Sequence, residues 1–272
     1  MNKPRNTNNP TFVSEQYGTP VNLQARIALH ERFSLNPYDW MLWVLDQIGL
    51  GDEACVFEVG CGTGRLWKTN ADRLRPGWDI TLSDQSAGMV AQARAALAGV
   101  AHPFRFEVCP ADRIPREEAS VDAVIANHML YHVPDRPRAF AEIRRALKPG
   151  GQLYAATNGE RHMMELWQLL EPYIPDCYTR ALAAAGGFLL ENGAAQLEAG
   201  GFVNVTLYNR PDALEITEVE PLIAYIQSSN TLMNHAWTEA ELDAIHAEVA
   251  ARIAAGGTFH VSKVAGLFMA YT

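Results

Sequence analysis

Ala54-Cys-Val-Phe-Glu-Val-Gly-Cys-Gly-Thr-Gly64 is the stretch whose reading decides the fold. Val56, Phe57 and Val59 form a short β-branched and aromatic run, which suits a strand buried in a parallel sheet. Gly60, Gly62 and Gly64 follow at alternate positions. Without a Cβ, each lets the chain turn sharply and bring its backbone against a ligand. Arg65 to Leu74 then shows helical spacing, with Leu66, Trp67 and Leu74 near one face. Strand, glycine turn and helix start together predict a nucleotide-like binding site. The spacing is Gly-x-Gly-x-Gly, not the Gly-x-Gly-x-x-Gly of dinucleotide binders. Glu58 stands two positions before the first glycine. Asp84 ends a second strand-like run, Trp78 to Asp84, twenty residues past Gly64. A carboxylate at that strand tip is placed to accept hydrogen bonds from both hydroxyls of a ribose.

Working outward, strands are expected at 54–60, 78–84, 104–109, 121–127 and 151–157. Helices are expected between them at 64–74, 86–98 and 135–147. Such alternation implies parallel strands joined by right-handed crossovers. Ser86 is placed to cap the second of these helices, and the Pro149-Gly150-Gly151 breaker should stop the third. Upstream, residues 20–50 look helical, with Pro37 expected to start a second helix. Downstream, 159–172, 176–186, 193–199, 214–229 and 238–255 look helical. Thr238 and Glu241 there have capping-box spacing. Phe202 to Tyr208 and Phe259 to Tyr271 alternate as strands.

Glu58-Val-Gly-Cys-Gly-Thr-Gly64, with Leu147-Lys-Pro-Gly-Gly151, resembles the class I S-adenosylmethionine (SAM)-dependent methyltransferases, in their small-molecule, type 11 or UbiE-like branch. The resemblance is strong over about residues 54–157. It implies an α/β, Rossmann-like sheet of seven mostly parallel strands, the last one antiparallel between the fifth and sixth, plus a helical cap. The domain organisation that follows is a flexible tail at 1–12, an N-terminal helical lid at 13–50 and a SAM-binding core at 51–158. Cap insertions at 159–192 and 211–256 alternate with the rest of the core sheet at 193–210 and 257–272.

The resemblance also implies site residues. Gly60, Gly62 and Gly64, preceded by Glu58, take the methionine end of SAM, and Asp84 takes the ribose. Gln85 and Met89 cover one adenine face, while Asp112 accepts from the adenine amino group beside the backbone of Arg113. Asn127 meets the methionine amino group, and Tyr17 and Arg26 reach in from the lid, where His30 and Tyr38 are further candidates. His128, Tyr131 and His132 follow the fourth strand and are the acid/base or positioning candidates, since imidazole titrates near neutral pH. Trp40, Trp167, Tyr173 and Tyr178 are candidates for an aromatic acceptor pocket. The expected reaction is methyl transfer from SAM to O, N or C of a small-molecule metabolite. The alternatives are an enzyme that uses SAM itself as substrate, a non-catalytic SAM-binding protein and, more distantly, an NAD-dependent dehydrogenase.

Composition narrows the partners. A formal net charge of −9 over 272 residues argues against a nucleic-acid surface, which needs clustered Lys and Arg. No apolar run reaches the ~18 to 20 residues needed to span a bilayer, and Met1 to Pro10 lacks the apolar core of a signal peptide. A cytoplasmic monomer or homodimer is therefore expected. The four cysteines form no Cys-x-x-Cys pair, so neither a metal site nor a disulfide is expected.

Overall fold

The computed structural model describes residues 20–184, 187–228 and 235–272. Two compact units divide the chain. The first holds Tyr38–Gly159, Phe188–Asn209 and Ala265–Thr272. The second holds the described parts of Met1–Pro37, Glu160–Gly187 and Arg210–Val264.

The first unit is built on the sheet. Its strands are β1 (Glu53–Val59), β2 (Gly77–Asp84), β3 (Phe104–Val108), β4 (Val121–Asn127) and β5 (Leu147–Asn158), joined by β6 (Val203–Ile216) and β7 (Phe259–Tyr271). Their order is β3-β2-β1-β4-β5-β7-β6. The first five strands pair in parallel, and β7 runs antiparallel to β5, from Gln152↔Tyr271 to Asn158↔Ala265. This is the expected Rossmann-like sheet, its antiparallel strand inserted between β5 and β6.

Alternate residues of each buried strand serve opposite faces, as the pleat requires. Phe57, Val124, Ala126, Leu153 and Phe268 pack with Phe140 and Ile143 of α5 (Arg136–Ala146) and Leu197 of α8 (Leu190–Ala199). Val56, Ile80, Leu82, Ile125 and Leu267 pack with α2 (Trp40–Gln47), α3 (Arg65–Thr69) and α4 (Ala87–Leu97). Covering helices on both faces explain why the strands read as apolar runs.

The second unit gathers α1 (Pro20–Phe33), α6 (Met164–Leu170), α7 (Cys177–Ala184), α9 (Val219–Ser228), α10 (Glu239–Gly256) and the outer parts of β6 and β7. Leu29, Leu166, Leu170, Leu222, Ile245 and Val261 share its apolar core. A buried carboxylate, Asp212, ties three segments together. It accepts from Lys263, from the Ser34 hydroxyl, from the Asn36 amide at 3.0 Å and from Arg210 at 3.2 Å. Burial pushes its pKa up, but these donors outweigh that and bring it down to about 2.

Several boundaries differ from those expected. The second N-terminal helix starts at Trp40, because Asp39 caps it by accepting from the Met41 amide at 2.7 Å; Pro37 lies outside it. The helix after the glycine turn ends at Thr69 and gives way to a 3₁₀ turn at Ala71–Arg73. β5 begins at Leu147, with the Pro-Gly-Gly breaker inside it, where the pairing with β4 shifts register between Val121 and Ala123. β6 runs on to Ile216, so the helix expected at 214–229 spans only Val219–Ser228. The Thr238 and Glu241 capping box is present, with the Thr238 amide 2.8 Å from the Glu241 carboxylate.

Candidate active site

The site is assembled at the carboxyl ends of β1, β2 and β4, where open α/β sheets collect their ligands. Gly60, Gly62 and Gly64 all take positive φ, at 65°, 54° and 74°. Their surroundings differ. A Cβ on Gly60 would come within 2.7 Å of Met129, and one on Gly64 within 3.2 Å of Ala93 and 3.1 Å of Leu97. Gly60 therefore seats the loop after β4, and Gly64 lets α4 approach. A Cβ on Gly62 would meet nothing within 4 Å. Of the three, Gly62 is the one that offers its backbone to open space. At five residues, α3 is too short to add much of a macrodipole, and within the turn the Cys61 and Gly64 amides already donate to the Ser83 and Cys61 carbonyls.

Asp84 closes this turn from β2. Its carboxylate accepts from the Gly62 amide at 3.1 Å and from the Ser86 amide at 2.8 Å. Burial raises its pKa, and the two amides oppose the rise. The Ser86 hydroxyl also caps α4 by accepting from the Met89 amide at 3.4 Å. Met89 is half-buried and Gln85 is exposed. The Cys109 amide donates to the Asp84 carbonyl at 3.1 Å, so the loop carrying Asp112 leaves β3 beside the end of β2. Asp112 is half-buried there; Arg113 is exposed, and its amide closes a turn onto the Pro110 carbonyl at 3.2 Å.

Glu58 is only 2% exposed, and its Oε2 accepts from the indole Nε1 of Trp67, itself fully buried, at 2.6 Å. Burial lifts its pKa to about 8; Asp84 adds to the rise and the indole opposes it. Of Glu58, expected among the cofactor-binding residues, one oxygen is committed to Trp67.

Asn127 is likewise engaged from within. Its Oδ1 accepts from the Trp40 indole at 3.2 Å and its Nδ2 donates to Met41 Sδ at 3.4 Å, so its side chain holds α2 over the end of β4. His128 sits in the left-handed region at φ 55°, its amide donating to the Ala156 carbonyl at 3.1 Å. Its ring lies 4.9 Å from Trp40 and 6.4 Å from Tyr131. Tyr131 meets His132 edge-on at 4.5 Å. Burial drives the His132 pKa down to about 4, which makes it a poor base at neutral pH.

Tyr17 lies outside the described residues, and Arg26 is on α1 with its side chain outside them. Tyr38 is exposed and donates to Asp46 at 2.6 Å, and His30 lies 6.5 Å from His162 and 6.0 Å from Tyr225 in the second unit. The four aromatics expected to form an acceptor pocket fall in different units. Trp40 belongs to the sheet unit, and Trp167, Tyr173 and Tyr178 belong to the second. There the Trp167 indole donates to the His162 carbonyl at 3.2 Å and the Tyr178 hydroxyl to the Glu160 carbonyl at 3.0 Å. Sequence reading missed Trp67 and Met129. Trp67 was legible only as a core position; its bond to Glu58 follows from α3 folding back over β1.

Among the described residues, no cluster of His, Cys, Asp and Glu is placed to hold a metal ion, and no helix is long and apolar enough to cross a membrane. All four cysteines are free thiols.

Comparison with known proteins agrees with this geometry. Residues 57–155 match the family described as a methyltransferase domain. A malonyl-[acyl-carrier protein] O-methyltransferase from Methylovorus sp. is 37% identical over 131 residues, 46% of this chain and 44% of that protein. The ubiquinone/menaquinone biosynthesis C-methyltransferase UbiE of Ralstonia pickettii is 31% identical over 134 residues, 48% of this chain and 52% of its own. The chain thus spans about half the length of these relatives. Among solved structures, a Haemonchus contortus phosphoethanolamine N-methyltransferase in complex with SAM shares the fold at TM-score 0.61 and 19% identity, over 96% of this chain and 59% of that one. The [4+2]-cyclase SpnF does so at TM-score 0.56 and 19% identity, over 96% and 92%. Residues 57–155 thus carry this chain's likeness to methyltransferase domains.

Proposed function

We propose that this chain transfers a methyl group from SAM to O, N or C of a small molecule. The observation that carries the reading is the Gly62 position. Its backbone is left-handed, its Cβ space is open, and its amide is tied to a carboxylate at the sheet's carboxyl edge. These residues fit the donor. In this reading Asp84 holds the ribose, the 60–64 turn accepts the methionine end, and Asp112 and Met89 receive the adenine. When bound, SAM supplies an electrophilic methyl carbon on a leaving group that departs neutral. The protein's part is then to align the acceptor and exclude water, with at most one base. His128 and Tyr131, on the loop after β4, are the proposed positioning and proton-handling groups. The two curated relatives, whose names describe O- and C-methyl transfer, support methyl transfer as the reaction.

Equilibrium dialysis against SAM and NAD tests the donor site: SAM should bind and NAD should not. Binding of NAD without SAM overturns the reading. Incubation with methyl-labelled SAM, with and without an acceptor panel, tests the chemistry. Label should move only when an acceptor is present. Turnover of SAM alone would instead establish SAM as the substrate, and donor binding with no transfer to any acceptor would favour a non-catalytic binder.

A further inference from the structure

Two carboxylates converge on one glycine turn, and they are supported very differently. Asp84 accepts from two backbone amides. Glu58, two residues before Gly60 on the adjoining paired strand, is held by a single indole in an apolar cluster that includes Val56, Leu66 and Ile125. Two acidic groups so close to one turn do not ionise with equal ease; the one with fewer donors keeps its proton. The titratable groups around Glu58 are few. Asp84 bears on it from β2 and the Cys61 thiol from the turn. Apolar side chains of α2, α3, α4 and β4 belong to the same cluster, and the Trp67 indole comes from α3.

We propose that Glu58, held by Trp67, is a positioning residue that makes donor binding proton-linked: a cationic sulfonium enters with loss of one proton from Glu58, whereas the uncharged thioether product does not demand it. This rests on the donor site proposed above and adds a means of telling donor from product. No covalent step is involved; the proton passes from the Glu58 carboxyl to solvent or buffer. A positive charge near the turn favours the ionised carboxylate, so the ligand and the ionised form stabilise each other. Below the Glu58 titration near pH 8, donor affinity should rise by up to about tenfold per pH unit and level off above it. Affinity for S-adenosylhomocysteine, which lacks the sulfonium charge, should show no such slope from Glu58.

The experiment is calorimetric titration of the full chain with SAM and with S-adenosylhomocysteine at pH 6.5, in two buffers of different ionisation heat. The wild type should release about one more proton per SAM than Glu58→Gln, with no such difference for S-adenosylhomocysteine. Glutamine keeps an oxygen for the Trp67 indole, so this variant tests charge rather than packing. A second variant, Trp67→Phe, removes the donor that favours the ionised form and should move the affinity transition to higher pH. Equal proton release by wild type and Glu58→Gln, or a Trp67→Phe transition that stays put or moves down, overturns the proposal. SAM binding without proton release sinks this inference alone; no SAM binding at any pH sinks the donor site with it.

Discussion

The Gly62 amide points at the Asp84 carboxylate from 3.1 Å, which locks the glycine turn of one strand to the tip of the next. That contact makes Asp84 part of the turn's frame, besides its proposed role as the ribose acceptor. Asp84→Ala should weaken SAM binding at least ~10-fold, since it strands two ribose hydroxyls in a semi-buried site. Asp84→Asn keeps one acceptor oxygen for the turn amides and should lose affinity with less harm to the fold. Calorimetry with SAM on both variants decides; unchanged affinity in either would remove Asp84 from the donor site.

The three glycines are not equivalent, and alanine scanning should separate them. Gly62→Ala places its methyl in open space and carries roughly 1 kcal/mol of left-handed strain, so the protein should fold. Its SAM affinity should drop sharply, because the methyl stands where the ligand's backbone contact would form. Gly60→Ala drives a methyl to 2.7 Å from Met129 and should show mainly as lost stability. Paired thermal melts and binding titrations test the contrast. If Gly62→Ala binds SAM as the wild type does, the cradle lies elsewhere.

Most of the sheet was legible because burial and periodicity coincide. Val121 to Asn127 and Phe259 to Tyr271 carry strand patterns from end to end, and both strands fall there. The misread boundaries have tertiary causes. The alternation from Phe202 to Tyr208 gave only part of β6, which runs on through Pro211 to Ile216 at the sheet's edge, a position where proline is tolerated. Pro149 and Gly150 sit inside β5 because a register shift against β4 absorbs them. At the site, the glycine turn and Asp84 were readable from local spacing. The Trp40 bond to Asn127 joins residues 87 positions apart, and no local pattern announces it. The left-handed backbone of His128 was equally hidden, since histidine occupies that region only occasionally.

His132 should make the protein acid-sensitive without shaping its neutral-pH chemistry. Burial lowers its pKa to about 4 from an ordinary 6.5. Between those values the unfolded chain binds a proton that the folded chain refuses, so stability rises with pH across the window and falls on acidification. The effect is up to about 3 kcal/mol. His132→Asn should flatten urea stability between pH 6.5 and 4. It should leave in place any limb of the pH–rate profile centred between pH 6 and 8. Disappearance of such a limb in this variant would make His132 the base after all.

Glu58 should behave in the opposite sense, and the comparison separates stability from function. Its folded-state pKa of about 8 lies above the ordinary 4.5, so the folded chain holds a proton that the unfolded chain has released. Its contribution is fully present below pH 4.5 and is lost as pH rises toward 8, by up to about 4 kcal/mol. Glu58→Gln has nothing to ionise and keeps the Trp67 bond, so it should be the more stable protein at pH 8 and close to the wild type at pH 4.5. Urea midpoints at the two pH values measure this directly. The same variant should lose the proton-linked part of its SAM affinity, which explains why a costly buried acid would occupy this position rather than an amide. A Glu58→Gln protein no more stable than the wild type at pH 8 would mean that the carboxylate ionises there at little cost, and that neither the stability penalty nor the proton linkage exists.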